Sequence, residues 1–114
     1  MPSVQWRRVL LGCSVLLALM EIADGFRLEL PWAAWTYALL LLIGAYWLCR
    51  SQGRGPVVFL GVLHLLELLM LLFVFRTAEQ APPPALFVVF VVVTLVGTVA
   101  AAATLASTGR RLPT

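Results

Sequence analysis

Residues 56–75 read PVVFLGVLHLLELLMLLFVF, an apolar run of about 20 residues that, wound as a helix, spans the ~30 Å hydrocarbon core of a bilayer. Its polar interruptions fall on one narrow line, Gly61, His64 and Glu67, at three-residue spacing. A surface helix of a soluble protein would instead carry a broad charged face. An ionisable group near the bilayer centre costs at least ~2.5 to 3.5 kcal/mol on insertion scales, so it turns toward protein or water rather than lipid. The run predicts a membrane-spanning helix with one polar stripe facing its neighbours.

Working outward, three more runs of similar length occur at 8–26, 31–49 and 85–107. Those at 31–49 and 85–107 contain no ionisable side chain. The chain is 114 residues long and 62% hydrophobic, with a mean hydropathy of +1.02, more apolar surface than a soluble domain of this size can bury. In hydrocarbon every backbone amide must be satisfied internally, which leaves helices or a closed barrel. Runs this long are about twice the length of barrel strands. Pro31, Pro56 and Pro82-Pro83-Pro84 stand where helices begin, positions at which a missing N–H is harmless. Trp6, Trp32, Trp35 and Trp47 lie near predicted ends, as an interfacial belt requires. The expected fold is an all-α integral membrane protein. Four transmembrane helices form an antiparallel up-down bundle with short loops, and residues 1–114 make a single membrane domain.

Charge sets the expected orientation. Lysine is absent, and the net charge of +3 comes from arginines. Arg7, Arg8, Arg50, Arg54, Arg110 and Arg111 fall on one predicted side, Arg27 and Arg76 on the other. The positive-inside rule then puts both termini in the cytoplasm of a cell membrane, inner or plasma. The arginine-only, Ala/Leu/Val-rich composition points by association to a bacterial inner membrane. A dispersed basic surface for nucleic acid is not present. Leu10-Leu11-Gly12-Cys13 resembles a lipobox, but its apolar run follows the cysteine instead of preceding it. The first segment is therefore read as a retained span. Cys13 and Cys49 are expected to be free thiols within or at the end of apolar runs.

Lipid gives helices no hydrophobic reason to associate, so contact depends on small side chains and on polar groups seeking partners. Each run carries such a stripe at helical spacing: Ser14, Ala18, Glu21 and Gly25; Ala34, Ala38, Leu41 and Ala45; Gly61, His64 and Glu67; Thr94, Gly97, Ala101 and Thr104. The last is the expected packing seam, within the bundle or toward a partner. Gly12, Gly44, Gly61 and Gly97 fall at or inward of the midplane, which predicts a tightly packed inner half. Glu21 and Glu67 fall outward of it, in an expected polar pocket with Arg27 and Arg76 as ion-pair partners near its mouth.

Glu21, His64 and Glu67 are the residues on which chemistry would rest. His64 and Glu67 share a face three residues apart, so a hydrogen bond between them is expected. Such a pair serves a proton relay or a polar clamp equally well. No phosphate loop, nucleophile-base pairing or metal-ligand spacing occurs, so neither enzyme activity nor a metal or cofactor is expected. The expected function is association in the bilayer, as an accessory subunit of a larger membrane complex or a homo-oligomer. The alternative is a small proton-coupled transporter or channel using Glu21, His64 and Glu67.

Overall fold

The computed structural model describes residues 2–27, 31–73 and 84–111, with side chains over 5–27, 31–73 and 84–106. Four helices occupy them: α1 (Pro2–Gly25), α2 (Trp32–Arg50), α3 (Gly55–Phe73) and α4 (Pro84–Arg111). A 19-residue helix such as α2 or α3 is ~28 Å long, close to the hydrocarbon thickness. Three helices, α2, α3 and α4, are long and apolar enough to cross a membrane, whereas α1 is not. Arg7, Arg8, Glu21 and Asp24 load α1 with more ionisable side chains than the others bear. Its start also differs from expectation: the helix begins at Pro2, so Arg7 and Arg8 sit in helical turns and not in a tail.

Local chemistry sets the ends. Pro31 precedes α2 with φ −73° and ψ −14°, the angles a proline ring favours at a helix start, and its carbonyl accepts from Trp35 N at 3.0 Å. At the far end Ser51 is extended, its N–H reaching Trp47 O at 2.9 Å. Gly53 N donates to Ser51 Oγ at 3.1 Å, a side-chain-stabilised turn, and Val58 N then bonds Arg54 O at 2.9 Å to open α3. Arg7 of α1 clamps this turn, donating to Ser51 O at 2.7 Å and to Leu48 O and Gly53 O at 3.3 Å. A cation on the last carbonyls of a helix satisfies them and opposes the negative end of its dipole.

The start of α1 thus meets the end of α2. Conversely Trp35 Nε1 donates to Ile22 O at 3.1 Å and its ring meets Phe26 edge-on at 5.4 Å, so the two helices run in opposite directions. Trp35 also lies where any side chain at residue 25 would stand, which explains Gly25. The main packing partners are α1 with α2, α1 with α4, and α3 with α4, while α2 touches α3 more lightly. The molecule is elongated, 49 × 23 × 19 Å.

The interior is built from the small and polar stripes plus Leu10, Leu17, Leu41, Leu60, Leu71 and Phe90. The exterior is the greasy part: Leu19 and Leu39 are each 57% exposed and Val88 59%. Ser14, Glu21, His64, Glu67, Thr94 and Thr104 are all buried. Polar groups inside and an apolar surface outside is the arrangement suited to lipid.

Candidate functional site

The expectation of a His64–Glu67 bond on α3 is not met. His64, fully buried, turns Nε2 to Ser14 Oγ of α1 at 3.0 Å. Glu67, one turn on, lies beside Glu21 of α1 instead, the two buried carboxyls near enough to act on each other. The reason is geometric: residues three apart on one helix are neighbours, but packed helices bring facing side chains closer still. Ser14 and Glu21 lie seven residues, about two turns, apart on α1, so one face supplies both partners.

An ionised carboxylate can only accept, so a bond between Glu21 and Glu67 requires a proton on one of them. Two carboxylates in contact in a low-dielectric interior cannot both be charged at small cost, and a shared proton removes that repulsion. The pair is closed off, with Glu21 7% and Glu67 8% exposed. Tyr37 of α2, which the sequence reading passed over, adds a third hydroxyl or carboxyl group here. Its phenol neighbours both glutamates and donates to the carbonyl of Leu63 on α3. That carbonyl is the helical acceptor for the amide of Glu67. Its signal in the sequence was a hydroxyl in the second turn of α2 beside the Ala34–Ala38 stripe, since a buried phenol needs a partner.

Asp24 continues the acidic line one turn along α1, adjacent to Glu21. It takes Arg27 in a two-point ion pair, Nε to Oδ1 at 2.8 Å and the terminal nitrogen to Oδ2 at 3.2 Å. Arg27 therefore serves Asp24, not the buried glutamates for which it was expected. Arg76, the other expected cation, lies outside the described residues.

The α4 seam closes the site from behind. Thr94, Gly97, Ala101 and Thr104 are all buried inside the bundle. Gly97 carries the imidazole flat against its backbone, and a Cβ there would stand 2.5 Å from His64 Nδ1. A Cβ at Gly61 would meet Ala101 Cβ at 2.8 Å. Thr94 and Thr104 hydroxyls bond back to their own helix, to Phe90 O at 2.9 Å and Ala100 O at 2.8 Å. His64 Nδ1 is left as the buried side-chain polar atom without a partner among the described residues. Close packing holds at Gly44, Gly61 and Gly97 but not at Gly12, which is exposed with no neighbour within 4 Å of a built Cβ. Among the described residues no three His, Cys, Asp or Glu gather as metal ligands do.

Compared with known proteins, the chain matches no family model, no curated protein and no solved structure.

Proposed function

We propose that this chain is a four-span, up-down antiparallel membrane protein with both termini cytoplasmic, working by lateral association as an accessory subunit or a homo-oligomer. Three helices have the composition for crossing. For α1, the charges that set it apart have places: Arg7 sits on the α2–α3 turn, Arg8 is exposed near the helix start, Glu21 lies against Glu67, and Asp24 is paired with Arg27. Neutralised or placed near an end, they do not bar it from crossing with the bundle.

The observation that carries the association reading is the closure of the polar groups on one another. Ser14–His64 and Tyr37–Leu63 are hydrogen bonds between helices, Glu21 and Glu67 lie against each other, and Gly97 and Ala101 of the α4 seam pack on α3. What is left for contact with another chain's helices is the apolar exterior. The test is disulfide cross-linking in native membranes of single cysteines at Leu39, Val62 or Val92 in a background lacking Cys13 and Cys49. A homo-oligomer cross-links at one face and not the others, and an accessory subunit co-purifies with a partner at fixed stoichiometry. A chain that remains a lone monomer at native abundance refutes association.

A second reading is favoured by the two buried carboxyls that lie against each other. Glu21, Glu67 and Asp24 form a line of acids running from the buried interior toward the Arg27 end of α1, the arrangement a proton-coupled transporter uses. It requires proton flux in proteoliposomes that collapses in Glu67→Gln. Flux indifferent to that change removes it.

A further inference from the structure

At the opposite end of the bundle from the acids, α1 and α2 leave a cleft of about 290 Å³ lined by Arg7, Arg8, Leu11, Leu48, Cys49 and Gln52. Among the described residues the one ion pair is Asp24–Arg27, and among them Arg7 and Arg8 have no carboxylate partner. Arg7 spends three donors on the carbonyls of Leu48, Ser51 and Gly53, which leaves it two of a guanidinium's five. Those carbonyls, the negative end of α2, are thereby covered, and an anion placed in the cleft meets positive charge instead. Arg8 is exposed, with no bonding partner among the described residues.

Part of the lining is apolar. Leu11 and Leu48 line the cleft beside the arginines, and Gly12, next to Leu11 in the chain and one turn from Arg8, is an exposed position outside the lining where an added Cβ meets nothing within 4 Å. The cleft thus combines two guanidinium groups, the amide of Gln52 and the apolar side chains of Leu11 and Leu48. We propose that it holds an anionic phospholipid, the phosphate between Arg7 and Arg8 and the start of an acyl chain along Leu11, Leu48 and the notch at Gly12. The inference rests on the membrane reading above, and on no particular function within it. A bidentate guanidinium suits a phosphate better than a point charge does, and basic pockets between helices at a membrane surface are suited to anionic headgroups.

Native mass spectrometry of the full chain released from mild detergent, with phosphatidylglycerol or phosphatidylcholine added in equal amounts, tests the site. The expected result is one retained phosphatidylglycerol per chain and little phosphatidylcholine. Arg8→Gln should weaken retention about tenfold, the loss of one charge-assisted contact. Arg54→Gln removes the same charge outside the cleft and should leave retention near wild type. Gly12→Leu keeps every charge and fills the notch, and should also weaken retention. Equal retention of both lipids, or equal losses in Arg8→Gln and Arg54→Gln, overturns the site in favour of diffuse attraction. Displacement of the lipid by millimolar inorganic phosphate, with Gly12→Leu unaffected, overturns the lipid in favour of a free anion. Failure of the membrane reading is separately visible, as a chain that stays monomeric and soluble without detergent.

Discussion

Gly97→Ala adds one methyl group at the point where α4 presses on His64. Built on the present backbone, it stands 2.5 Å from Nδ1 and 2.7 Å from both Cγ and Cε1 of the ring. Carbon contacts are comfortable at ~3.5 to 4.0 Å, so the ring or α4 must move by about 1 Å. The ring is not free to swing, because Nε2 is held by Ser14 at 3.0 Å. Overpacking of this kind costs ~1 to 3 kcal/mol, and losing the Ser14 bond adds ~1 kcal/mol. Alanine's advantage over glycine inside a helix returns ~1 kcal/mol. The net expectation is a loss of about 1 to 3 kcal/mol, read by thermal or SDS unfolding in mild detergent. Two controls isolate the cause. Gly12→Ala meets nothing within 4 Å and should be neutral or stabilising by up to ~1 kcal/mol. In a His64→Ala background the ring is gone, so Gly97→Ala should lose its penalty, a coupling of about 1 to 3 kcal/mol. An equal loss with and without the imidazole would refute the contact as the cause.

Other outcomes follow from the same contacts. Glu21→Ala and Glu67→Ala should each destabilise by ~1 to 3 kcal/mol, since each strands a buried carboxyl, while the double variant should cost clearly less than their sum in a double-mutant cycle. Strict additivity would mean that the two side chains do not bond. Arg7→Ala uncovers the carbonyls of Leu48, Ser51 and Gly53; a stability loss of ~1 to 2 kcal/mol and faster limited proteolysis within residues 51–55 are expected, and unchanged cleavage would show that the clamp is idle. Cys49 is exposed at the arginine-bearing end, so in cells with Cys13 replaced by alanine an impermeant thiol reagent should label it after permeabilisation and not before. Labelling of intact cells would reverse the proposed orientation.

The inward faces were legible on the membrane reading proposed above, because lipid outside a helix would leave small and polar residues only the inside. Small and polar residues recurring every three or four positions have one physical use in an apolar helix, and Ser14, Ala18, Glu21 and Gly25 of α1 are buried together, as are Ala34, Ala38, Leu41 and Ala45 of α2. Which stripe meets which was not legible. Spacing reports neighbours on one helix, so it paired His64 with Glu67 and offered Glu21 to an arginine. The juxtapositions that form, His64 with Ser14 and Glu67 with Glu21, depend on how α1 is placed relative to α3, and that is set largely through the packing of both on α2 and α4. Gly12 shows the same limit from the other side. A glycine in an apolar run serves close packing or a notch in the surface, and only its neighbours on other helices distinguish the two. Arg7 was read as a charge for orientation, and its second role as a cap became visible once the α2–α3 turn stood beside it.

The polar groups solve a problem that the apolar exterior creates. Leucine, valine and phenylalanine surfaces pack against lipid about as well as against one another, so many rotations and slides of these helices would be nearly equal in energy. Sliding α3 by one turn, ~5.4 Å, past α1 would part Ser14 from His64 and Glu21 from Glu67 in a single movement, because both pairs join the same two helices. It would also drive the imidazole off Gly97 and onto a side chain of α4. Register is therefore held by the same few residues that chemistry would use, and loss of activity after truncating any of them says nothing about mechanism. The conservative change separates the two roles. Glu67→Gln supplies a donor to Glu21 and so keeps a bond available between the two helices, while it removes the proton that two bonded carboxyls would share. A variant that retains wild-type stability and assembly has kept the structure, and whatever function it loses depended on that proton.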